Sequence, residues 1–133
     1  MAAVHHVEIW VPDLDRARTA WGWLFDALGW ADFQDWPGGH SWRAPDGSYV
    51  VVEQSPDLTG EAHLRTAPGM NHLAVTAADT ETVDAIAGSA PEHGWQPLFA
   101  DAYPHAGGPD HYAAFLTDED GYELEIVAAR PSC

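Results

Sequence analysis

Two segments of this chain repeat one another, and the repetition limits the folds open to it more than any other feature. His6-Val7-Glu8-Ile9-Trp10-Val11-Pro12-Asp13 and His72-Leu73-Ala74-Val75-Thr76-Ala77-Ala78-Asp79 share one grammar: a histidine, a strand-like run, and an aspartate seven residues after the histidine. In both copies a helix-like stretch follows and closes on Gly-Trp, at Gly29-Trp30 and Gly94-Trp95. His72 follows His6 by 66 residues in a chain of 133, so the sequence reads as one unit used twice.

Within the first copy, residues 4 to 11 alternate: His5, Val7, Ile9 and Val11 on one face, Val4, His6, Glu8 and Trp10 on the other. The first face is apolar enough to lie under a helix, and the second suggests a lined cavity. Asp13 is placed to cap a helix over roughly 14 to 28, whose stripe is Leu14, Ala17, Trp21, Leu24, Phe25 and Leu28 and whose stop is Gly29. Three strand-like runs follow, at 31 to 35, 40 to 44 and 48 to 54, with Asp46-Gly47 as the strongest hairpin signal. The last of them puts Tyr49, Val51 and Glu53 on one face.

The second copy has the same order. A strand over 70 to 77 leads to a helix over about 80 to 90, ended by Pro91 and Gly94. Strands near 95 to 101 and 112 to 117 are separated by a Gly/Pro-rich loop, and a final strand runs from Tyr122 to Ala128 with Glu123, Glu125 and Val127 on one face. The expected organisation is a single domain over 1–133: module one over about 4–55, a linker over about 56–69, and module two over about 70–128. The fold class is α+β, with two βαβββ modules whose sheets join as an open, cup-like mixed sheet backed by helices on its outer face.

Composition removes several function classes. The formal net charge is -16, with 21 acidic residues against five basic ones, Arg16, Arg18, Arg43, Arg65 and Arg130. Such a field repels nucleic acid and anionic membranes, and a phosphate or a pair of carboxylates wants several convergent cationic side chains. A small substrate that is neutral, aromatic or cationic suits the chain better than a strongly anionic one. The only cysteine is Cys133, which excludes an internal disulfide, and no apolar run approaches the roughly 18 residues of a membrane span. A cytoplasmic location is the expectation.

The cavity-side polar residues are His6 and Glu8 from the first strand, Glu53 from the fourth, His72 from the fifth, and Glu123 and Glu125 from the last. Glu53 follows Gly47 by six residues and Glu125 follows Gly121 by four, an even difference that keeps both on the same strand face. Two neutral imidazoles and two carboxylates would neutralise a divalent cation and offer mixed N/O ligands suited to Zn, Ni, Fe, Co or Mn. His5 points to the other face or to the surface, and His105 and His111 fall in a solvated loop region.

The sequence resembles the vicinal oxygen chelate superfamily, which includes glyoxalase I, methylmalonyl-CoA epimerase, extradiol dioxygenases and bleomycin-resistance proteins. The resemblance rests on His6 to Leu14, Val51-Val52-Glu53, Asn71 to Val75, and Phe115 to Glu125, and it covers nearly the whole chain. It implies a metal held by His6, Glu53, His72 and Glu125, the places that the ligands occupy in glyoxalase I-like members. It also implies a homodimer.

The leading expectation is a glyoxalase- or epimerase-type enzyme in which a metal-stabilised enolate forms while Glu125 or Glu53 moves the proton. One alternative is a non-haem Fe(II) extradiol-type dioxygenase. Another is a metal-free drug-binding protein of the bleomycin-resistance kind, for which the acidic field and aromatic side chains are suited. Glu8, Trp10, Trp42, Tyr49, Tyr112 and Phe115 are the expected substrate-contacting residues.

Overall fold

The computed structural model describes residues 2–129, so Arg130 and Cys133 lie outside the described residues. The chain forms two compact units, the first ending at Ala62 and the second beginning at His63. Each carries one four-stranded mixed sheet.

In the first unit the order is β1 (His6–Trp10), α1 (Leu14–Ala27), β2 (Ala31–Trp36), β3 (Gly39–Arg43) and β4 (Tyr49–Glu53). The sheet order is β1-β4-β3-β2, with β1 parallel to β4 and the other pairs antiparallel. Asp13 caps α1 by accepting a 2.9 Å hydrogen bond from the Arg16 amide, and the free Leu14 amide donates to Gln54 Oε1 at 2.8 Å.

The far end of α1 closes as a Schellman motif. The Trp30 amide donates to the Phe25 carbonyl and the Gly29 amide to that of Asp26, with Gly29 at φ 84 supplying the left-handed turn. The two rings that bracket this turn, Phe25 and Trp30, stack 4.5 Å apart. One face of α1 is buried through Leu14, Ala17, Ala20, Trp21, Leu24 and Phe25, the stripe predicted from spacing with Ala20 added and without Leu28, which is the half-buried C-cap.

The second unit repeats the plan with β5 (Leu73–Ala77), α2 (Thr80–Ser89), β6 (Gln96–Leu98), β7 (Ala113–Thr117) and β8 (Glu123–Ala128), in sheet order β5-β8-β7-β6. Asp79 caps α2 through the Thr82 amide at 2.8 Å. Here α2 passes into a 3-10 turn, Ala90–His93, and Gly94 at φ 90 ends it. The core contains Val83, Ile86, Trp95, Leu116, Leu124 and Ile126, each at most 2% exposed.

Two expectations are corrected here. The strand expected over 95 to 101 stops at Leu98, because Phe99 turns left-handed (φ 56) and starts a 3-10 turn, Ala100–Ala102. Part of the expected linker is also bound to the second unit. The His63 amide donates to the Asp120 carbonyl at 2.8 Å, and its ring stacks on Tyr122 at 4.6 Å. Gly121 permits this contact, since a Cβ there would stand 2.3 Å from the His63 carbonyl oxygen. Among the described residues no helix is long and apolar enough to cross a membrane.

Candidate functional site

The pairing of β5, β8 and β7 decides which side chains of the second unit share a surface. Leu73 is paired with Leu124, and Ala74, Glu125 and Phe115 lie side by side on the adjacent register step. Extending that register by one residue sets His72 beside Glu123. The alternation read from sequence therefore holds: Glu123, Glu125 and Val127 share a face opposite the buried Leu124 and Ile126.

On that face Glu123 is 2% exposed and Glu125 6%, and both carboxylates are well supplied with partners. Arg65 Nη1 reaches Glu123 Oε1 at 3.1 Å, so a residue from the expected linker neutralises it. Glu125 is flanked by two imidazoles: His72 Nε2 lies 3.1 Å from Oε1, and His111 Nε2 contacts Oε2. Burying an ionised carboxylate without such partners would cost far more than burying a neutral polar group, and the group would take up a proton instead.

The neighbours of His72 fix its tautomer. Asn71 Nδ2 donates to the Arg65 carbonyl at 2.9 Å, which turns Asn71 Oδ1 toward His72 Nδ1 at 2.7 Å. Nδ1 therefore carries a proton. In neutral His72 the Nε2 lone pair then faces an oxygen of Glu125, and two acceptors meeting in this way require a proton or a cation between them. This donor pair fits a divalent metal, whose adjacent ligands at about 2.1 Å stand roughly 3 Å apart. Among the described residues no group of three or more His, Cys, Asp or Glu side chains is arranged to hold a metal ion.

The first unit presents the corresponding face differently. His6 is paired with Tyr49, Glu8 with Val51, and Trp10 with Glu53. The His6 ring stacks on Tyr49 at 4.8 Å and 8°, its Nδ1 is 2.8 Å from that of His5, and Trp10 Nε1 donates to Glu8 Oε2 at 2.8 Å. Glu53 stands four residues beyond the partner of His6, roughly 13 Å along the strand, so these two side chains do not converge within their unit.

The registers also refine the repeat. Tyr49 corresponds to Glu123, Val51 to Glu125, and Glu53 to Val127. Glu53 and Glu125 lie on corresponding faces of their own units, as the even spacing predicts, yet not at corresponding places. The two additional residues between Gly47 and Glu53 shift the first carboxylate one dyad along its strand.

Other expected contacts are redistributed. Trp42 is paired with Val50 on the opposite face, only 3% exposed, with its ring 5.2 Å from Phe25 and against Gly22 of α1. It is a core side chain and does not join Trp10 and Tyr49. Tyr112 falls on the α2 side, where its hydroxyl donates to Asp84 at 2.6 Å. Phe115 keeps the expected face and meets the His72 ring edge-on at 6.0 Å.

His5 is exposed beside Tyr49, and His105 Nδ1 lies 3.2 Å from the His111 carbonyl. His111 is half-buried rather than solvated, and sequence reading missed its role. The signal was its parity: 111, 113, 115 and 117 alternate together, and Ala113, Phe115 and Thr117 are paired with Val127, Glu125 and Glu123. Arg65 gave no such signal, because it lies outside any periodic segment.

Comparison with known proteins agrees with this architecture. The model of the Glyoxalase/Bleomycin resistance protein/Dioxygenase superfamily matches residues 5–115. The chain is 40% identical over 132 residues to uncharacterized protein YqjT of Bacillus subtilis (strain 168), covering 98% of this chain and all of that one. A crystal structure from Bacillus halodurans, provisionally assigned as a glyoxalase, has a TM-score of 0.87 at 39% identity over 95% of both chains. Lactoylglutathione lyase from Agrobacterium tumefaciens shares the fold at a TM-score of 0.65 and 16% identity, over 97% of this chain and 95% of that one. With its paired mixed-sheet units and a superfamily match over most of its length, this chain belongs to the glyoxalase/bleomycin resistance protein/dioxygenase superfamily.

Proposed function

We propose that this protein is a divalent-metal-dependent enzyme of the glyoxalase or epimerase type that moves a proton on a small substrate bound through its oxygen atoms. The observation that supports the reading best is Glu125, 6% exposed and held by an imidazole on each carboxylate oxygen. A carboxylate so placed has a defined direction for accepting a proton, and partners that share the resulting change in charge.

His72 and Glu125 would hold the cation, with His6 as the repeat counterpart of His72. Glu53, shifted along β4, is not the repeat counterpart of Glu125. When bound, the cation supplies Lewis-acid polarisation of a substrate oxygen, which lowers the cost of developing enolate charge. Asn71 keeps His72 in one tautomer, Arg65 offsets the charge of Glu123, and Glu125 takes the proton and returns it. The Phe115 ring stands edge-to-face with the His72 ring at 6.0 Å.

The register of β4 also gives weight to a second reading. With Val51 at the place of Glu125, a set of two histidines and one carboxylate remains, the donor pattern of non-haem Fe(II) dioxygenases. We propose that the protein works as a homodimer in either case, and sedimentation showing only monomer would count against that part.

Metal analysis of the purified protein and of its His72→Ala and Glu125→Ala variants tests both readings. Stoichiometric metal in the parent and its loss in both variants is the expected result, and a metal-free parent would leave only the drug-binding reading. Solvent-deuterium exchange into small 2-oxo compounds then supports the proton-transfer enzyme, whereas oxygen consumption with catechols and bound iron supports the dioxygenase.

A further inference from the structure

A second site lies on the α2 side of the second unit and borders the Glu125 face at Phe115. A cleft of about 520 Å³ runs between α2 and the β6–β7 edge, lined by Asp84, Gly88, Leu98, Tyr103, Tyr112 and Leu116 among others. Its volume falls within the range of small-molecule sites, roughly 300–1,000 Å³, and its walls are apolar apart from one polar cluster. In that cluster the hydroxyls of Tyr103 and Tyr112 donate to the same oxygen of Asp84, Oδ1, at 2.5 and 2.6 Å.

We propose that this cleft binds an organic ammonium ion with an apolar or aromatic tail. Both phenol donors converge on Oδ1, so Oδ2 of Asp84 is left for a further donor, and among the described residues no arginine lines the cleft. The two hydroxyls hold the Asp84 carboxyl below its ordinary value, so it is anionic at neutral pH. Burial, then Asp84, pushes the Tyr103 hydroxyl up, so it stays a donor. A formal net charge of -16 raises the local concentration of cations and disfavours an anionic ligand.

A simple latch tying the 103–112 loop to α2 would account for the two hydrogen bonds. It would leave two other features without a reason. A Cβ built at Gly88 meets no atom within 4 Å, so the cleft wall has room beside the helix. Phe99 adopts φ 56, which side chains with a Cβ rarely do, remains 50% exposed, and meets Phe115, a cleft residue, edge-on at 5.5 Å. An exposed ring held in a strained backbone at the edge of an open apolar slot fits a ligand tail.

Calorimetric titration of the full chain with 2-phenylethylammonium, 2-phenylethanol and phenylacetate tests the proposal. The expected result is saturable binding of the ammonium ion, about tenfold weaker binding of the alcohol, as the loss of a charge-assisted hydrogen bond implies, and none of the carboxylate. Asp84→Asn should bring the ammonium ion and the alcohol to equal affinity, and Gly88→Met, which fills the slot from an exposed helix position, should abolish both. Equal binding of the alcohol by the parent, or ammonium binding unchanged in Gly88→Met, overturns the proposal, as does the absence of saturation up to millimolar ligand. If Gly88→Met instead converts a dimeric parent to monomer on sedimentation, the occupant is a second copy of the chain and the proposal fails. None of these outcomes depends on metal at Glu125.

Discussion

The two units carry the same backbone plan with different side chains at matching places. Where the first has Tyr49 and Val51, the second has Glu123 and Glu125, and where the first stacks His6 on Tyr49, the second holds His72 against a buried carboxylate. The cores differ in the opposite sense. Six residues of α1 are buried, including Trp21, Leu24 and Phe25, whereas α2 buries Val83 and Ile86. The first unit is thus richer in helix packing and the second in buried polar groups, among them the strongly partnered carboxylates.

The sharpest way to break that comparison is to exchange the carboxylates. Glu125→Ala should lower proton exchange on a substrate by about 10²–10⁴, the usual contribution of a positioned acid or base. Adding Val51→Glu to it should restore nothing, because β4 offers no counterpart of His111 or Arg65. Recovery of exchange in the double variant would show that the two faces are interchangeable.

Helix packing should follow the buried stripe. Leu24→Ala is expected to cost about 4–5 kcal/mol in chemical denaturation and Ile86→Ala about 2–3, both within the range for such truncations. Equal losses would remove the asymmetry between the cores. A smaller effect belongs to the α1 cap: Asp13→Ala should cost about 1 kcal/mol, with Asp13→Ser close to the parent.

The smallest effect is the response to acid, which in the second unit centres on α2 and the segment packed on it. Hydrogen bonds from Thr82 lower the carboxyl of Asp79, and those from Tyr103 and Tyr112 lower that of Asp84, both from 3.8. Because the folded value lies below the unfolded one, their stabilisation is complete above about pH 3.8 and fades as pH falls through the folded value. Amide exchange at Thr82 and around Tyr112 should therefore quicken in that window before it does in α1. An Asp84→Asn variant should lose the change near Tyr112 and keep it at Thr82.

Local pattern explains why so many elements could be read in advance. Period-two alternation assigned faces to β1, β4 and β8, and the spacing of apolar residues assigned α1 its buried stripe. Trp42 and Tyr112 were harder, because an aromatic residue at a strand position suits a core as well as a pocket. Their partners decided the matter: Phe25 and Gly22 for one, Asp84 of α2 for the other.

By itself the sequence determined the duplication, the mixed α+β plan, the capping aspartate Asp13, and the strand faces on which Glu53 lies in its unit and Glu123 and Glu125 lie in theirs. These follow from preferences that act over a few residues. Only the tertiary structure decided that Val51, rather than Glu53, stands at the place of Glu125, that His111 completes the partners of that carboxylate, and that Arg65 folds back onto Glu123. Each depends on pairing between segments far apart in the chain, where alternation gives the face and leaves the register free by steps of two.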